Sequence, residues 1–232
     1  MKVAVVVFPG SNCDHDVLHL YGLLGQTVTT VWHRETDLHK PDLVVLPGGF
    51  SHGDYLRTGA LAKLSPIMHE VKKFADQGGP VIGICNGFQI LCEAGLLPGV
   101  LLQNVGRKFL SQFVTVKVEN SDTVFTRGIE KGRVLCCPIA HFDGNYFADD
   151  DTVKRLEDNA QVVFRYCDAQ GGVDHESRIS NPNGARNSIA GICSERRNVV
   201  GLMPHPERAA EKSVGYIGGQ SGRCIFEASL NS

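Results

Sequence analysis

A cysteine with glycines close on both sides is the residue of this chain best suited to act as a nucleophile. The stretch GICNG, residues 83–87, joins an apolar run to a segment with helical periodicity. A strand that turns directly into a helix strains the residue at its apex, and small neighbours avoid clashes there. The Cys85 thiol would lie at a helix N-terminus, which favours thiolate, and the Asn86 N–H would point towards an oxyanion formed on an attacked carbonyl. Taken alone, these five residues are explained equally well by a tight turn with a buried cysteine.

Cys92, seven residues later, has a different setting. It falls among apolar residues with helical spacing, and neither a glycine nor a basic residue stands beside it. Free cysteine is among the residue types most often buried. We therefore expect Cys92 to be a core residue of the helix that follows Cys85.

The stretch MPHPER, residues 203–208, could supply the base that a nucleophilic cysteine needs. Pro206 pushes His205 into an extended conformation, and residues i and i+2 of an extended segment project to the same side. Glu207 can therefore hold one imidazole nitrogen while the other faces outward, which is the base and orienting half of a triad. By itself, the hexapeptide is better explained as an exposed loop with a solvated histidine.

A third glycine turn, PGGF at residues 47–50, follows a short apolar run. Glycine lets the backbone approach a ligand, so a backbone N–H of this turn would be a second oxyanion donor. A plain turn is the alternative. The three stretches together are more informative than each alone, because all fall at the ends of predicted strands, where sites of open α/β sheets lie.

The first half of the chain alternates strand and helix patterns. We predict strands at 3–8, 27–32, 43–46 and 81–85, and helices from residue 16 to Gly25, over 60–76 and from Asn86. Strands alternating with helices indicate a parallel, doubly wound sheet. From about residue 101 the pattern changes to strands without long helices between them, at 113–120, 132–141, 160–168, 188–194 and 199–205, before a closing helix at 223–230. We expect antiparallel additions to one α/β sheet and a single domain over residues 1–232.

Composition excludes several classes of function. The net charge of −2 argues against a nucleic-acid or lipid surface as a partner, and no apolar stretch approaches the length of a membrane span. The N-terminus lacks a secretory signal, so we expect a cytoplasmic protein. The eight cysteines include no CxxC pair. Zinc-type ligand spacing is therefore absent, and we expect no metal site.

PGGF, GICNGFQ and MPHPER resemble the motifs of class I, triad-type glutamine amidotransferases. FPGSNCDHD, GGFSHGDYLRTGALA, CNGFQILCEAGLLPG, NPNG and GLMPHPERA resemble, more narrowly, the glutaminase subunits of phosphoribosylformylglycinamidine synthase, from de novo purine synthesis. The resemblance covers nearly the whole chain and implies a flavodoxin-like fold. It further implies that Cys85 attacks the side-chain amide of glutamine to form a γ-glutamyl thioester. His205 would transfer the protons, and Glu207 would orient His205.

The resemblance also implies how substrate is bound. Gly49 and Asn86 would supply backbone oxyanion donors, Gln89 would contact glutamine, and residues 104–109 would line the same pocket. Two stretches depart from the family pattern. Residues 140–144 read AHFDG where the family usually has AHGEG, and residues 110–112 read LSQ where a cysteine and a basic residue are common. We interpret His141 as a loop histidine outside the site.

The resemblance implies a partner, because glutamine hydrolysis and the ATP-dependent synthesis would lie on separate subunits. No phosphate-binding loop of the GxxxxGK[ST] type is present, so we expect no cofactor in this chain. ATP and magnesium would bind to a large synthetase subunit that converts formylglycinamide ribonucleotide to formylglycinamidine ribonucleotide, with or without a small accessory subunit. The alternatives are a glutaminase subunit of another amidotransferase, a cysteine hydrolase with a related elbow, and a degenerate domain that only binds a partner.

Overall fold

Strands and helices alternate through the first 93 residues, as the sequence predicts. The computed structural model describes residues 1–216 and 219–230, so residues 217–218 and 231–232 of the predicted domain lie outside the described part. The elements of the first half are β1 (Lys2–Val7), α1 (Asp14–Leu23), β2 (Thr27–Trp32), β3 (Leu43–Leu46), α2 (Ile67–Asp76), β4 (Val81–Ile84) and α3 (Asn86–Glu93). Those of the second half are β5 (Val100–Leu102), β6 (Leu110–Val118), β7 (Val134–His141), β8 (Asn145–Phe147), α4 (Asp150–Asp158), β9 (Val162–Cys167), β10 (Ile189–Cys193), β11 (Val199–Leu202) and α5 (Arg223–Ser229).

One sheet of nine strands carries the fold in the described residues, in the order β2-β1-β3-β4-β11-β10-β9-β6-β7. The strands from β2 to β11 pair in parallel, and the pairs from β11 onwards are antiparallel. The parallel half has the 2-1-3-4-5 order of flavodoxin-like sheets, with β11 in the fifth place. This confirms the predicted fold class, a flavodoxin-like α/β sheet with antiparallel additions from the second half of the chain.

The apolar runs explain which strands occupy the centre. All residues of β3, β4 and β11 are buried, because a parallel strand at the centre of such a sheet is covered on both faces. On either side of β4 lie β3, with Leu46 opposite Gly83, and β11, with Leu202 opposite Ile84. The three strands therefore end at one edge of the sheet. That edge receives the PGG turn, the cysteine elbow and the histidine segment.

Two predicted features differ from the structure. The helix predicted over 60–76 begins only at Ile67, after a short 3-10 turn at Ala62–Leu64. Ser65 is extended, with ψ 140°, because the proline that follows it disfavours the helical conformation. The second half also contains a helix of nine residues, α4, where the sequence predicted only strands. Its N-cap, Asp149, accepts a hydrogen bond from Thr152 N at 2.7 Å, which is a local signal for a helix start.

The remaining elements are minor additions. β5 and β8, which the sequence did not predict, form a separate two-stranded antiparallel sheet. The closing helix is present as α5, and its Phe226 ring packs edge-on against Tyr21 of α1 at 5.4 Å. Among the helices of the described ranges, none combines the length and the hydrophobicity that a membrane crossing requires.

Candidate active site

Cys85 stands at a strained apex between β4 and α3. Its backbone angles are φ 51° and ψ −103°, which a non-glycine residue rarely adopts and which commonly mark functional sites. The flanking glycines are needed for space. A Cβ on Gly87 would overlap Leu46 O, and one on Gly83 would lie 2.6 Å from the backbone of Gly87. The elbow therefore has the geometry that the sequence predicted, with no room for larger neighbours.

His205 and Glu207 form a buried pair at the end of β11. Glu207 Oε1 lies 2.6 Å from His205 Nδ1, so the ring donates its Nδ1 proton to the carboxylate. The two residues are 1% and 5% exposed. Burial disfavours the charged imidazole, but the charges of Glu207 and Cys85 raise the pKa of His205 well above its usual value. The expected pairing of imidazole and carboxylate is therefore present, in the protein interior rather than in a solvated loop.

The backbone brings this pair to the elbow. Cys85 N donates to Leu202 O at 2.8 Å, and His205 N donates to Pro138 O on β7 at 2.8 Å. Cys85 Sγ lies 3.9 Å from Ala140 O, also on β7. In the described residues, His205 Nε2 has no hydrogen-bond partner. Contacts between a catalytic base and its nucleophile often tighten only when substrate is bound, so the free nitrogen near Cys85 is suited to that role.

Gly49 is held against the loop that follows β1. Its φ of +143° lies outside the range of other residues, and a Cβ there would lie 2.7 Å from Ser11 Cα. Phe50 N donates to Gly10 O at 2.9 Å, which fixes the turn. A cavity of about 140 Å³ opens beside it, lined by Asn12, Cys13, Gly49, Phe50, Phe109, Ala140, His205 and Arg208. Phe109, the last residue of the predicted 104–109 segment, thus lines the same space as His205.

Asn86 and Gln89 connect the elbow helix to two loops. Asn86 Oδ1 accepts from Ser51 N at 3.2 Å, and Asn86 Nδ2 donates to Gln89 Oε1 at 2.8 Å. Gln89 Nε2 donates to the Asp143 carbonyl at 2.7 Å. Both ends of the Gln89 amide are therefore engaged within the protein. A contact between Gln89 and glutamine would require one of these hydrogen bonds to be exchanged.

The interpretation of His141 as a loop histidine is wrong. It is the last residue of β7, is 2% exposed, and its Nδ1 lies 3.1 Å from Asn104 Oδ1. Burial and the nearby charge of His205 lower the pKa of His141 to about 3, so the ring is neutral. Every second residue of β7 is buried, from Leu135 to His141. The sequence VLCCPIAH is apolar on both faces of the strand before His141, so no alternation of apolar and polar residues signalled its inward orientation.

Cys13 is a site residue that the sequence did not single out. It lies in the loop after β1 and is 3% exposed. Arg208 Nη2 is 3.1 Å from its Sγ, and the Arg208 guanidinium also binds Asp16. Burial raises the pKa of the Cys13 thiol, and His205 partly opposes that shift. The motif FPGSNCDHD contained Cys13, but no local spacing indicated that it would reach His205.

Two carboxylates lie close to each other near Gln89. Burial, and then the charge of Asp143, raise the pKa of Asp54 to about 6, and burial raises that of Asp143. Asp54 follows the PGG turn and has φ +54°, whereas Asp143 lies in the loop after β7. In the described residues, one oxygen of each carboxylate is buried without a hydrogen-bond partner. Burial, and for Asp54 also the charge of Asp143, therefore makes ionisation of these carboxyl groups unfavourable in the folded protein.

Comparison with known proteins identifies the family. Residues 1–217 match the model of the CobB/CobQ-like glutamine amidotransferase domain. The chain is 54% identical to the phosphoribosylformylglycinamidine synthase subunit PurQ of Koribacter versatilis, over 100% of this chain and 98% of the relative. It is 50% identical to that of Salinibacter ruber, over 99% and 96%.

Solved structures agree with this assignment. The structure of PurLQS from Thermotoga maritima matches with a TM-score of 0.85 and 43% identity, over 99% of this chain and 97% of that one. A putative GMP synthase protein from Thermoplasma acidophilum, at 19% identity and a TM-score of 0.63 over 100% of this chain and 92% of that one, shares the fold. The chain therefore belongs to the CobB/CobQ-like glutamine amidotransferases and, within them, to the family of phosphoribosylformylglycinamidine synthase PurQ subunits.

Proposed function

We propose that this chain is the glutaminase subunit of a phosphoribosylformylglycinamidine synthase. It hydrolyses glutamine to glutamate and ammonia, and the ammonia passes to an ATP-dependent synthetase that converts formylglycinamide ribonucleotide to formylglycinamidine ribonucleotide. Family membership supports the activity. The observation that carries the chemistry is the buried hydrogen bond of 2.6 Å between His205 and Glu207, next to a strained Cys85.

In the first half-reaction, Cys85 Sγ attacks the side-chain carbonyl carbon of glutamine. His205 Nε2 takes the thiol proton, and Glu207 stabilises the imidazolium and holds Nδ1 in the correct tautomer. The tetrahedral intermediate collapses as the imidazolium gives its proton to the departing nitrogen. The products of this step are ammonia and a γ-glutamyl thioester on Cys85.

In the second half-reaction, water replaces ammonia. His205 Nε2 removes a proton from the water, whose oxygen attacks the thioester carbonyl, and the proton then returns to the Cys85 sulfur. Glutamate leaves and the enzyme is restored. The backbone N–H groups of Asn86 and Gly49 stabilise the oxyanion in both steps. A donor of this kind typically contributes about 10²–10³ in rate.

Glutamine binding is assigned to the cavity bounded by Gly49 and His205. Gln89 lies one helical turn beyond Cys85. It binds the substrate by giving up its hydrogen bond with Asn86 or Asp143 for one to glutamine. Asn86 keeps the loop that begins at Ser51 in contact with the elbow. Binding of glutamine would thus be coupled to the order of that loop.

The partner is inferred from the relative solved as the PurLQS assembly. We assign ATP and magnesium to a large synthetase subunit, and a small accessory subunit completes the complex. This chain itself requires no cofactor for the thiol chemistry described above. All eight cysteines are free thiols, which suits a reducing compartment, so we place the chain in the cytoplasm.

The test compares two cysteine variants in the assembled complex. Cys85→Ala should abolish glutamine-dependent product formation but leave ammonia-dependent formation intact, because the synthetase site is not changed. Cys92→Ala, on the same helix and also buried, should keep both activities. A glutamine-derived diazoketone should label the wild type and Cys92→Ala but not Cys85→Ala. Glutamine use by the Cys85→Ala complex would show that the mechanism is wrong.

Identifying the native partner separates the remaining alternatives. Co-purification followed by product analysis should recover a synthetase that uses formylglycinamide ribonucleotide. A synthetase acting on another acceptor would make the chain the glutaminase of a different amidotransferase. A complex that uses ammonia but never glutamine, even in the wild type, would indicate a degenerate binding domain.

A further inference from the structure

Cys13 meets the histidine and carboxylate of the candidate triad from the side of the β1 loop. One ligand atom from each of Cys13, His205 and Glu207 can be chosen so that the three lie within 4.8 Å of one another. All three side chains are buried. Cys13 and His205 are 192 positions apart in the chain, so only the fold brings the thiol to the imidazole. The cluster combines sulfur, nitrogen and oxygen donors.

Gly48 packs directly against this cluster, with no room for a side chain. A Cβ on Gly48 would lie 2.6 Å from His205 Cε1, 3.0 Å from Cys13 Sγ and 3.3 Å from His205 Nδ1. The thiol and the Nδ1–Cε1 edge of the ring therefore face the same small volume. Arg208 Nη2 and Asn12 Oδ1 contact Cys13 Sγ at 3.1 and 3.2 Å. These two side chains fix the thiol next to the ring.

Two buried atoms of the cluster lack partners within the described residues. Glu207 Oε2 and His205 Nε2 have no hydrogen bond, although Glu207 is only 5% exposed and His205 only 1%. A buried polar atom without a partner is costly, and each such case points to a ligand or a chemical role. His205 Nε2 is accounted for by the proposed proton transfers. Glu207 Oε2 has no part in them.

We propose that Cys13, His205 and Glu207 form a binding site for a thiophilic divalent cation of the zinc class, and that its occupation inhibits the glutaminase. Zn²⁺ takes Cys, His and Glu ligands in tetrahedral sites that leave one position for water. Its binding would replace the Cys13 thiol proton, which is released to solvent, and the imidazole proton would move from Nδ1 to Nε2, so that neutral His205 binds the ion through Nδ1 with no change in oxidation state.

Inhibition follows because the ion takes over groups that the reaction needs. A metal bound to the imidazole prevents His205 from becoming imidazolium, so the departing nitrogen receives no proton. This consequence rests on the proposed function, whereas the binding site does not. Cys85 is the alternative zinc ligand, since a thiolate facing His205 Nε2 could also hold the ion. The choice between Cys13 and Cys85 is therefore the centre of the test.

The binding experiment titrates the purified full chain with Zn²⁺ against a chromophoric chelator, and repeats it with Co²⁺ to detect a thiolate charge-transfer band. We expect one ion per chain in the wild type and in Cys92→Ala. Cys13→Ala should weaken binding by about tenfold or more and lose the cobalt band. Cys85→Ala should retain both the affinity and the cobalt band. Circular dichroism checks that each variant is folded, and Cys13→Ser serves as a second variant without the thiol.

The opposite pattern would overturn the site. If Cys13→Ala and Cys13→Ser bind Zn²⁺ as tightly as the wild type, or if Cys85→Ala alone loses the ion, the cluster is not the ligand set. The glutaminase rate of each variant is then measured with and without Zn²⁺. We expect Zn²⁺ to lower the rate least in Cys13→Ala. Zinc binding without any glutaminase activity in the wild-type complex would contradict the proposed function alone.

Discussion

Cys85 N donates a hydrogen bond to Leu202 O at 2.8 Å. This bond joins the nucleophile's elbow to the last residue of β11, three positions before His205. Since β4 and β11 are neighbouring parallel strands with Ile84 opposite Leu202, the sheet register sets how far the imidazole stands from the thiol. The candidate triad is therefore positioned by backbone pairing. Substitutions that disturb the register of β4 and β11 should lower activity even when Cys85, His205 and Glu207 themselves are unchanged.

Gly87→Ala should disrupt the elbow. The added Cβ would overlap Leu46 O, a backbone atom that cannot move without shifting β3. We expect a loss of about 2–4 kcal/mol in the free energy of unfolding and loss of glutaminase activity. Urea denaturation and a glutamate-release assay measure the two effects.

The control for Gly87→Ala is Gly22→Ala in α1. A Cβ on Gly22 meets nothing within 4 Å, and the residue is exposed. Alanine should therefore stabilise the protein by up to about 1 kcal/mol through helix propensity. Equal effects at the two positions would mean that the contact with Leu46 does not limit the elbow.

Glu207→Gln tests the orienting carboxylate. The amide keeps the size of the side chain but cannot support the imidazolium, and its NH₂ favours the wrong histidine tautomer. We expect kcat for glutamine hydrolysis to fall roughly 10²–10⁴-fold, with ammonia-dependent synthesis in the complex unchanged. Glu195→Gln, at an exposed position between β10 and β11, should keep full activity. A Glu207→Gln rate within twofold of the wild type would remove Glu207 from the mechanism.

Asp54→Asn should stabilise the protein in a pH-dependent manner. The pKa of Asp54 is raised to about 6 in the folded state, above the value of about 4 expected when unfolded. The folded state therefore holds the proton longer, and stability falls as pH rises from about 4 to 6. Removing the carboxylate should raise the free energy of unfolding by about 1 kcal/mol at pH 7, a figure reduced for partial exposure.

At pH 4 the Asp54→Asn substitution should have a much smaller effect, because Asp54 is then protonated in the folded protein. Thermal unfolding of wild type and variant at both pH values makes the comparison. The same shift in Tm at pH 4 and pH 7 would show that ionisation of the partly buried Asp54 carboxylate is not the cause.

Asn104→Ala should loosen the pocket wall. The Asn104 side chain donates to the carbonyls of Lys108 and His141, and its Oδ1 lies 3.1 Å from both His141 Nδ1 and Gly144 N. Its removal leaves buried groups unpaired, so we expect a loss of about 2–4 kcal/mol. Urea denaturation measures the loss, and Asn159→Ala at an exposed position should change stability by less than about 0.5 kcal/mol.

Much of the site could be read from short-range pattern. The glycines around Cys85, the Pro206 that extends His205 and the i, i+2 spacing to Glu207 act over a few residues, where backbone sterics decide the outcome. The buried apolar runs likewise predicted β3, β4 and β11 and hence the edge where they end. His141 was not within reach of the sequence, because β7 is apolar on both faces and only the structure shows which face is buried.

The starts of α2 and α4 were also within reach of local pattern, because Pro66 keeps Ser65 extended and Asp149 caps α4. Other features depended on contacts that no local pattern contains. Cys13 is the clearest case. The sequence by itself determined the elbow, the extended histidine and the parallel sheet, since each follows from the conformational preferences of neighbouring residues. Only the tertiary structure placed Cys13 against His205, because strand order and register decide which distant side chains share a buried volume.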